Sequence, residues 1–185
     1  MASILSVEQL KGLSSGDTPN TITLPTGQTL DFSAGTLTMP AGHVLQVVSF
    51  SYGTEEQTTS GSFSDTSLVA SITPSSTSSK VYIGMTVPVK GFCGSSNNIQ
   101  GYGAIYREVG ATQTALMEAI IVRSDGTTGI AVGSSSALSF LDSPSTTSAV
   151  SYRLRIALAT TGSSRNMSVH FANTDSVVTL MEIAG

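Results

Sequence analysis

Side chains able to do acid–base or nucleophilic chemistry are few in this chain and far apart. There are two histidines, His43 and His170, and one cysteine, Cys93. A serine or cysteine nucleophile needs a base within hydrogen-bond reach. His43 sits beside a Pro-x-Gly segment and His170 on the polar side of an alternating run. Cys93, in Gly91-Phe-Cys-Gly-Ser95, has no neighbouring histidine and reads as a small packing residue. Because serine and threonine together number 55, a hydroxyl close to either histidine in sequence carries no information. The acids available for glycosidic chemistry are Glu55, Glu56, Asp65 and Asp142. Adjacent Glu55 and Glu56 would point to opposite sides of a strand, so they read as solvated loop charge. The chain has no G-x-S-x-G elbow, calcium loop, phosphate loop or dinucleotide fingerprint. The expectation is no catalytic residue, no metal ligand and no cofactor.

What remains is a recognition surface. The stretch from Gly91 to Tyr106 is rich in Gly, Ser and Asn with Tyr102 and Tyr106 interleaved. That composition suits adaptable hydrogen bonding and stacking on a sugar. Asn97, Asn98, Tyr102 and Tyr106 are therefore the candidate receptor-facing positions. The alternative is an ordinary loop whose tyrosine hydroxyls reach solvent. Asn166-Met-Ser168 also fits a glycosylation sequon.

The elements that must hold these residues follow from composition and period. In a chain of 185 residues, 46 are Ile, Leu, Val or Phe, too apolar a content for disorder. Only 11% are charged, so hydroxyls wet the surface, which suits β structure. The net charge of -4 has no run of Lys or Arg behind it, which argues against nucleic acid as a partner. No apolar run is long enough to insert in a membrane, and Met1–Leu13 lacks the pattern of an export signal. A single cysteine rules out an internal disulfide framework.

Two regions are expected, an N-terminal arm over 1–43 and a head over 44–185. After a short helical segment near Ser6–Gly12, Ile22-Thr-Leu-Pro-Thr-Gly-Gln-Thr-Leu30 recurs fifteen residues later as Leu37-Thr-Met-Pro-Ala-Gly-His-Val-Leu45. Each copy is an extended apolar run broken by a Pro-x-Gly turn. So short a ribbon cannot bury Ile22, Leu24, Leu30, Leu37, Met39 and Leu45 alone. Sister chains in an intertwined oligomer would cover them, or the chain's own head, or another protein's surface.

From Val44 onward, period-two runs alternate with turns. Val81, Ile83, Met85, Val87 and Val89 oppose Lys80, Tyr82 and Thr86; Tyr152, Leu154, Ile156 and Leu158 oppose Arg153 and Arg155; Met167, Val169 and Phe171 oppose Ser168 and His170. Further strands are expected over 44–50, 67–73, 102–109, 116–123, 129–132, 137–141 and 176–183, with Asp125-Gly126 as a hairpin turn. Thr112–Arg123 tempts toward helix, but its neighbours argue for strand. Glu182, within the last strand, should lie at an edge, at a subunit contact or beside an arginine. The expected fold is all-β, an antiparallel jelly-roll sandwich behind an extended arm.

Several phrases carry a resemblance: Ile22–Leu30, Pro40-Ala-Gly-His-Val-Leu-Gln-Val-Val48, Ser71-Ile-Thr-Pro-Ser-Ser-Thr-Ser-Ser-Lys-Val81, Phe140-Leu-Asp-Ser-Pro144 and Leu180-Met-Glu-Ile-Ala-Gly185. Together they resemble small virion structural proteins of tailed phages, many from marine and cyanobacterial phages, of the tail fibre, head fibre or capsid decoration type. The resemblance implies a homotrimer with a slender N-terminal part and a head similar to the C1q and tumour-necrosis-factor fold. The repeat resembles the triple β-spiral of viral fibre shafts. Implied partners are other virion proteins, of capsid or tail, and a host surface glycan; the implied location is the virion, after synthesis in the host cytoplasm. A capsid cement role, a polysaccharide-degrading spike and a secreted lectin-like module are the alternatives.

Overall fold

Alternating aliphatic and polar side chains become long antiparallel strands in the computed structural model, which describes residues 26, 27, 29, 39–94, 98–125, 129–159, 161, 162 and 164–185. Ile22, Leu24, Leu30, Leu37, Asn97 and Gly126 lie outside the described residues, as does the segment near Ser6–Gly12. The strands are β1 (Val44–Tyr52), β2 (Glu56–Thr58), β3 (Ser64–Ile72), β4 (Lys80–Cys93), β5 (Asn98–Val109), β6 (Thr112–Asp125), β7 (Ile130–Asp142), β8 (Val150–Leu158), β9 (Arg165–Val169) and β10 (Ser176–Ile183). A single 3-10 turn, Phe171–Asn173, separates β9 from β10. Met39–Gly185 pack as one compact unit.

Two sheets face each other. In the first, β7 pairs along the whole of β4, while β10 and β9 share β4's other edge, β10 over Lys80–Thr86 and β9 over Val89–Cys93. β1 and β2 lie outside β10 and β9 respectively. The second sheet runs β3-β8-β5-β6. Leaving aside the short β2 and β9, the facing orders β1-β10-β4-β7 and β3-β8-β5-β6 are those of a jelly roll. The entry to β1 is tied to the residue that follows β10, its neighbour in the sheet: Gly42 N–H donates to the Ala184 carbonyl at 2.7 Å, and Ala184 N–H to that of His43 at 2.8 Å.

The core follows the alternation. Val81, Ile83, Met85, Val87 and Val89 of β4 face Tyr152, Leu154, Ile156 and Leu158 of β8, together with Val178 and Leu180 of β10, and all are buried. Arg153 and Arg155 point away from this core, as their position between buried neighbours requires.

Several elements differ from the sequence expectation. The runs at 129–132 and 137–141 are one strand, β7, because Ser134–Ser136 between them continue the pairing with β4. Thr112–Asp125 is strand throughout, carrying two bulges opposite β5. Gly91–Tyr106 is mostly the end of β4 and the start of β5, not a loop. Its glycines have a packing cause. A Cβ at Gly101 would come within 2.5 Å of Met167 Sδ, and one at Gly103 within 2.9 Å of Ile121 Cδ1, so β5 can approach the core only with hydrogen there. Ser168 near the end of β9 and His170 just after it are buried as completely as Met167 and Val169, so here the alternation has no solvent side, although Arg165 and Asn166 at the start of the strand are only partly buried. The sequon at Asn166–Ser168 therefore lies within the sheet.

Glu182 is neither at an edge nor beside an arginine. It is buried on β10 between β1 and β4, where Ser75 donates to its carboxylate through both backbone N–H and hydroxyl at 2.7 Å and the Gln46 amide donates at 2.6 Å. Burial pushes its pKa up, but the hydrogen bonds from the Ser75 and Gln46 side chains and the Ser75 backbone outweigh that and hold it below the ordinary value.

Replacing Leu154 by Ala should destabilise the sandwich by about 2–5 kcal/mol. Arg153→Ala, which loses a half-exposed pair with Glu108 and a bond to the Thr66 carbonyl, should cost about 1 kcal/mol. Chemical denaturation measures both, and equal losses would place the strand one residue out of register.

Candidate functional site

The sandwich brings together groups that the sequence holds far apart. At the end of β9, His170 turns inward with a left-handed backbone (φ 56°). Its Nδ1 lies 2.6 Å from Ser176 Oγ at the start of β10, and its Nε2 lies 3.3 Å from Glu56 Oε2 on β2. Tyr52 closes the group edge-on, with ring centroids 5.1 Å apart. A neutral ring protonated at Nε2 satisfies both contacts, donating to Glu56 and accepting from the Ser176 hydroxyl. Serine, histidine and glutamate thus stand in the connectivity of a hydrolase triad, a juxtaposition that sequence spacing did not reveal.

The surroundings argue for a structural role. Ser176 and His170 are both 0% exposed, so no acyl group can reach the hydroxyl. Glu56 also accepts from the Ser67 backbone N–H (2.9 Å) and hydroxyl (2.7 Å). The cluster cross-links β2, β3, β9 and β10 through satisfied hydrogen bonds.

The other candidate acids are held separately. Asp142 accepts two contacts from Arg107 Nη1 (2.9 and 3.1 Å) and one from the Tyr152 hydroxyl (2.9 Å). Burial first, then the Asp142 charge and hydrogen bond, raise the pKa of Tyr152 far above its ordinary value. Asp65 pairs with Arg155 at 2.5 Å. Arg107 also borders an open hollow of about 260 Å³ with Val109, Thr112, Thr114, Pro144 and Thr146, but its guanidinium is already engaged by Asp142. Cys93 is buried. Among the described residues no group of three or more His, Cys, Asp or Glu could hold a metal ion.

The two outer sheet faces differ in chemistry. Outside the β3-β8-β5-β6 sheet, charges are paired: Arg153 with Glu108 at 3.2 Å, and Arg155 with Asp65 while its Nη2 donates to Gln113 at 2.9 Å. Arg155 lies over the Tyr106 ring at 4.3 Å, and Phe63 tilts against the same ring at 6.0 Å. Tyr106 is thus covered on one side by a guanidinium. Tyr102, two pairs along β5, is half-buried and accepts from the Gln100 amide at 3.1 Å. Asn98 is exposed, and its backbone and side-chain oxygens accept from Arg165.

Outside the other sheet the surface is apolar and hydroxylic. Val47, Met181, Tyr82 and Leu141 stand in one register row across β1, β10, β4 and β7. Val44 and Ile183 form the next pair at one side. Met39 is half-buried and Leu45, at the bulge of β1, is 36% exposed.

The His170 cluster predicts a pH dependence. Burial disfavours the imidazolium by more than the Glu56 charge and hydrogen bond favour it, so the pKa of His170 lies below its ordinary 6.5. The unfolded chain takes the proton more readily; stability is full above that ordinary value and falls as pH drops below it. Thermal unfolding from about pH 7.5 to about pH 5 should show Tm declining, and His170→Gln should remove most of the decline. An unaltered decline in the variant would assign the titration to another group.

No protein-family model matches this chain, and no curated protein does. Among solved structures it is similar to that of the infectious bursal disease virus Gx strain, at 16% identity and a TM-score of 0.40, over 87% of this chain and 42% of that chain. It is similar also to the VP2 subviral particle of infectious bursal disease virus, at 18% identity and a TM-score of 0.39, over 87% of this chain and 42% of the other. A third, the T13 particle of that virus, gives 15% identity and a TM-score of 0.33, over 87% and 40%. The chain spans about two fifths of the length of these structures.

Proposed function

We propose that this chain is a non-enzymatic virion structural protein, a homotrimeric fibre or knob displayed on a phage surface and engaged in host attachment. The observation that carries the reading is the disposition of its polar chemistry. The serine–histidine–carboxylate group that the described residues bring together is sealed in the interior, while the outer sheet faces carry paired charges on one side and exposed apolar and hydroxyl groups on the other. Such a molecule works by contact. The phrases shared with small tailed-phage virion proteins, from Ile22–Leu30 to Leu180–Gly185, supply the setting. The apolar repeat bearing Ile22, Leu24, Leu30, Leu37 and Met39 supplies a segment too short to bury itself, which association between sister chains would cover.

In this reading the arm anchors the protein on its particle and the head projects. Asn97, Asn98 and Tyr102 are the positions facing a host glycan; at Tyr106 the group offered is the Arg155 guanidinium stacked on the ring. A capsid decoration role differs in location, so finding the protein on capsid symmetry axes of purified particles would replace attachment by decoration.

Light scattering of the full chain at micromolar concentration should give three times the 19.0 kDa chain mass; a stable monomer would refute the trimer. Removing residues 1–38 should leave the β signature in circular dichroism and abolish incorporation into particles. Full occupancy by the truncated protein would remove the anchoring role. Host polysaccharide incubated with the protein should keep its length.

A further inference from the structure

We infer that the outer face of the β1-β10-β4-β7 sheet is a contact surface between copies of this chain, an inference that rests on the assembly reading above. The face is built around one row. Val47, Met181, Tyr82 and Leu141 are mutual register partners, and three of them are large exposed apolar groups: Val47 57%, Leu141 49% and Tyr82 36%. Tyr82 lies along the sheet because residue 84 is glycine; a Cβ there would come within 3.3 Å of the ring. The row is therefore low and flat. Rows beside it are mostly small or hydroxylic, Ser49, Thr179, Gly84 and Ser139, then Ser51, Thr86 and Ala137 with one further exposed apolar group, Val177.

Charge identifies the occupant as a second copy. The rows from Val44–Ile183 to Ser51–Ala137 hold one charged side chain, Lys80, at their margin, and no acid. The opposite sheet presents Asp65, Glu108, Arg153 and Arg155 on its outer side. Copies of this face, whose one charge lies at the margin, can converge around a shared axis without stranding a charge, whereas a charged partner would lose hydration there and gain no counter-ion. The sequence adds a further apolar stripe, residues 22–39, running directly into β1 at the rim of this face.

Area sets what such a contact must include. Four strands about 4.8 Å apart, overlapping over about seven residues, give a face of roughly 450 Å². A stable interface takes about 800 Å² from each partner. The face alone falls short, and the apolar residues of the repeat are the further surface that the same assembly would draw on.

The test uses the full chain. Val47→Glu, Tyr82→Glu and Leu141→Glu each place a charge on the face while leaving the core intact, which circular dichroism checks. Each should weaken association by roughly tenfold or more, read from mass against concentration, and Glu118→Lys on the other sheet should not. Leu141→Cys and Glu118→Cys variants give a readout that does not depend on tolerating a charge. With Cys93 buried as background, maleimide should label the Leu141→Cys chain roughly tenfold more slowly than the Glu118→Cys chain, and dilution to monomer should abolish the difference. Equal labelling in an intact oligomer would overturn this inference and leave the homotrimer standing. A monomer, whether labelled quickly or shielded by its own N-terminal segment, would overturn both.

Discussion

The structure hangs on β4. Its fourteen residues pair on both edges, with β7 along one and with β10 and β9 in succession along the other. Every second side chain from Val81 to Val89 is an aliphatic that is 0–2% exposed. A strand so enclosed cannot slip, because a shift of one residue would put Lys80, Tyr82 and Thr86 into the core and five aliphatics into water. At about 1.5–3 kcal/mol for each large aliphatic buried, this row alone rivals the net stability of an ordinary domain. The placement of β10, β9 and β7 follows from it, and through them the clusters at His170, Glu182 and Asp142.

Those three clusters show three ways of keeping a titratable group inside a β sandwich. Glu182 stays ionised because neutral donors from β1 and the β3–β4 connection converge on it. Asp142 is matched by an arginine and a buried tyrosine hydroxyl. His170 stays neutral, bridging a serine and a glutamate. In each case at least one partner comes from an element distant in sequence, so the polar groups reward only the native pairing. The apolar interior sets how much stability is available, and these bonds discriminate between registers.

The outer faces divide the remaining work. Outside the β3-β8-β5-β6 sheet, arginines and acids form pairs of modest strength that keep the surface soluble at low total charge. Outside the other sheet, hydroxyls and a row of exposed apolar groups take over. A chain with only 11% charged residues has little ionic surface to spend, and among the described residues the Arg153–Glu108 and Arg155–Asp65 pairs lie on one side of the sandwich.

Local alternation determined much of this molecule. The inward sets of β4, β8 and β10 and the jelly-roll class are readable from period two alone, because a half-buried strand must place apolar groups on one side. The absence of helix at Thr112–Asp125 likewise follows from the neighbouring strands. Tertiary structure decided what alternation cannot carry. His170 and Ser168 look solvent-facing by period, yet both are buried, with His170 held by Glu56 of β2 and by Ser176 at the start of β10. Gly101 and Gly103 look like loop residues because sequence does not show the Met167 and Ile121 side chains that occupy the space a Cβ would need. The meeting of Glu56, His170 and Ser176 depends on β2 and β10 lying on either side of one turn, a proximity that residues up to 120 positions apart in the chain acquire only when the sheets assemble. The exposed row across β1, β10, β4 and β7 has the same origin: Val47, Met181, Tyr82 and Leu141 become neighbours only through strand pairing.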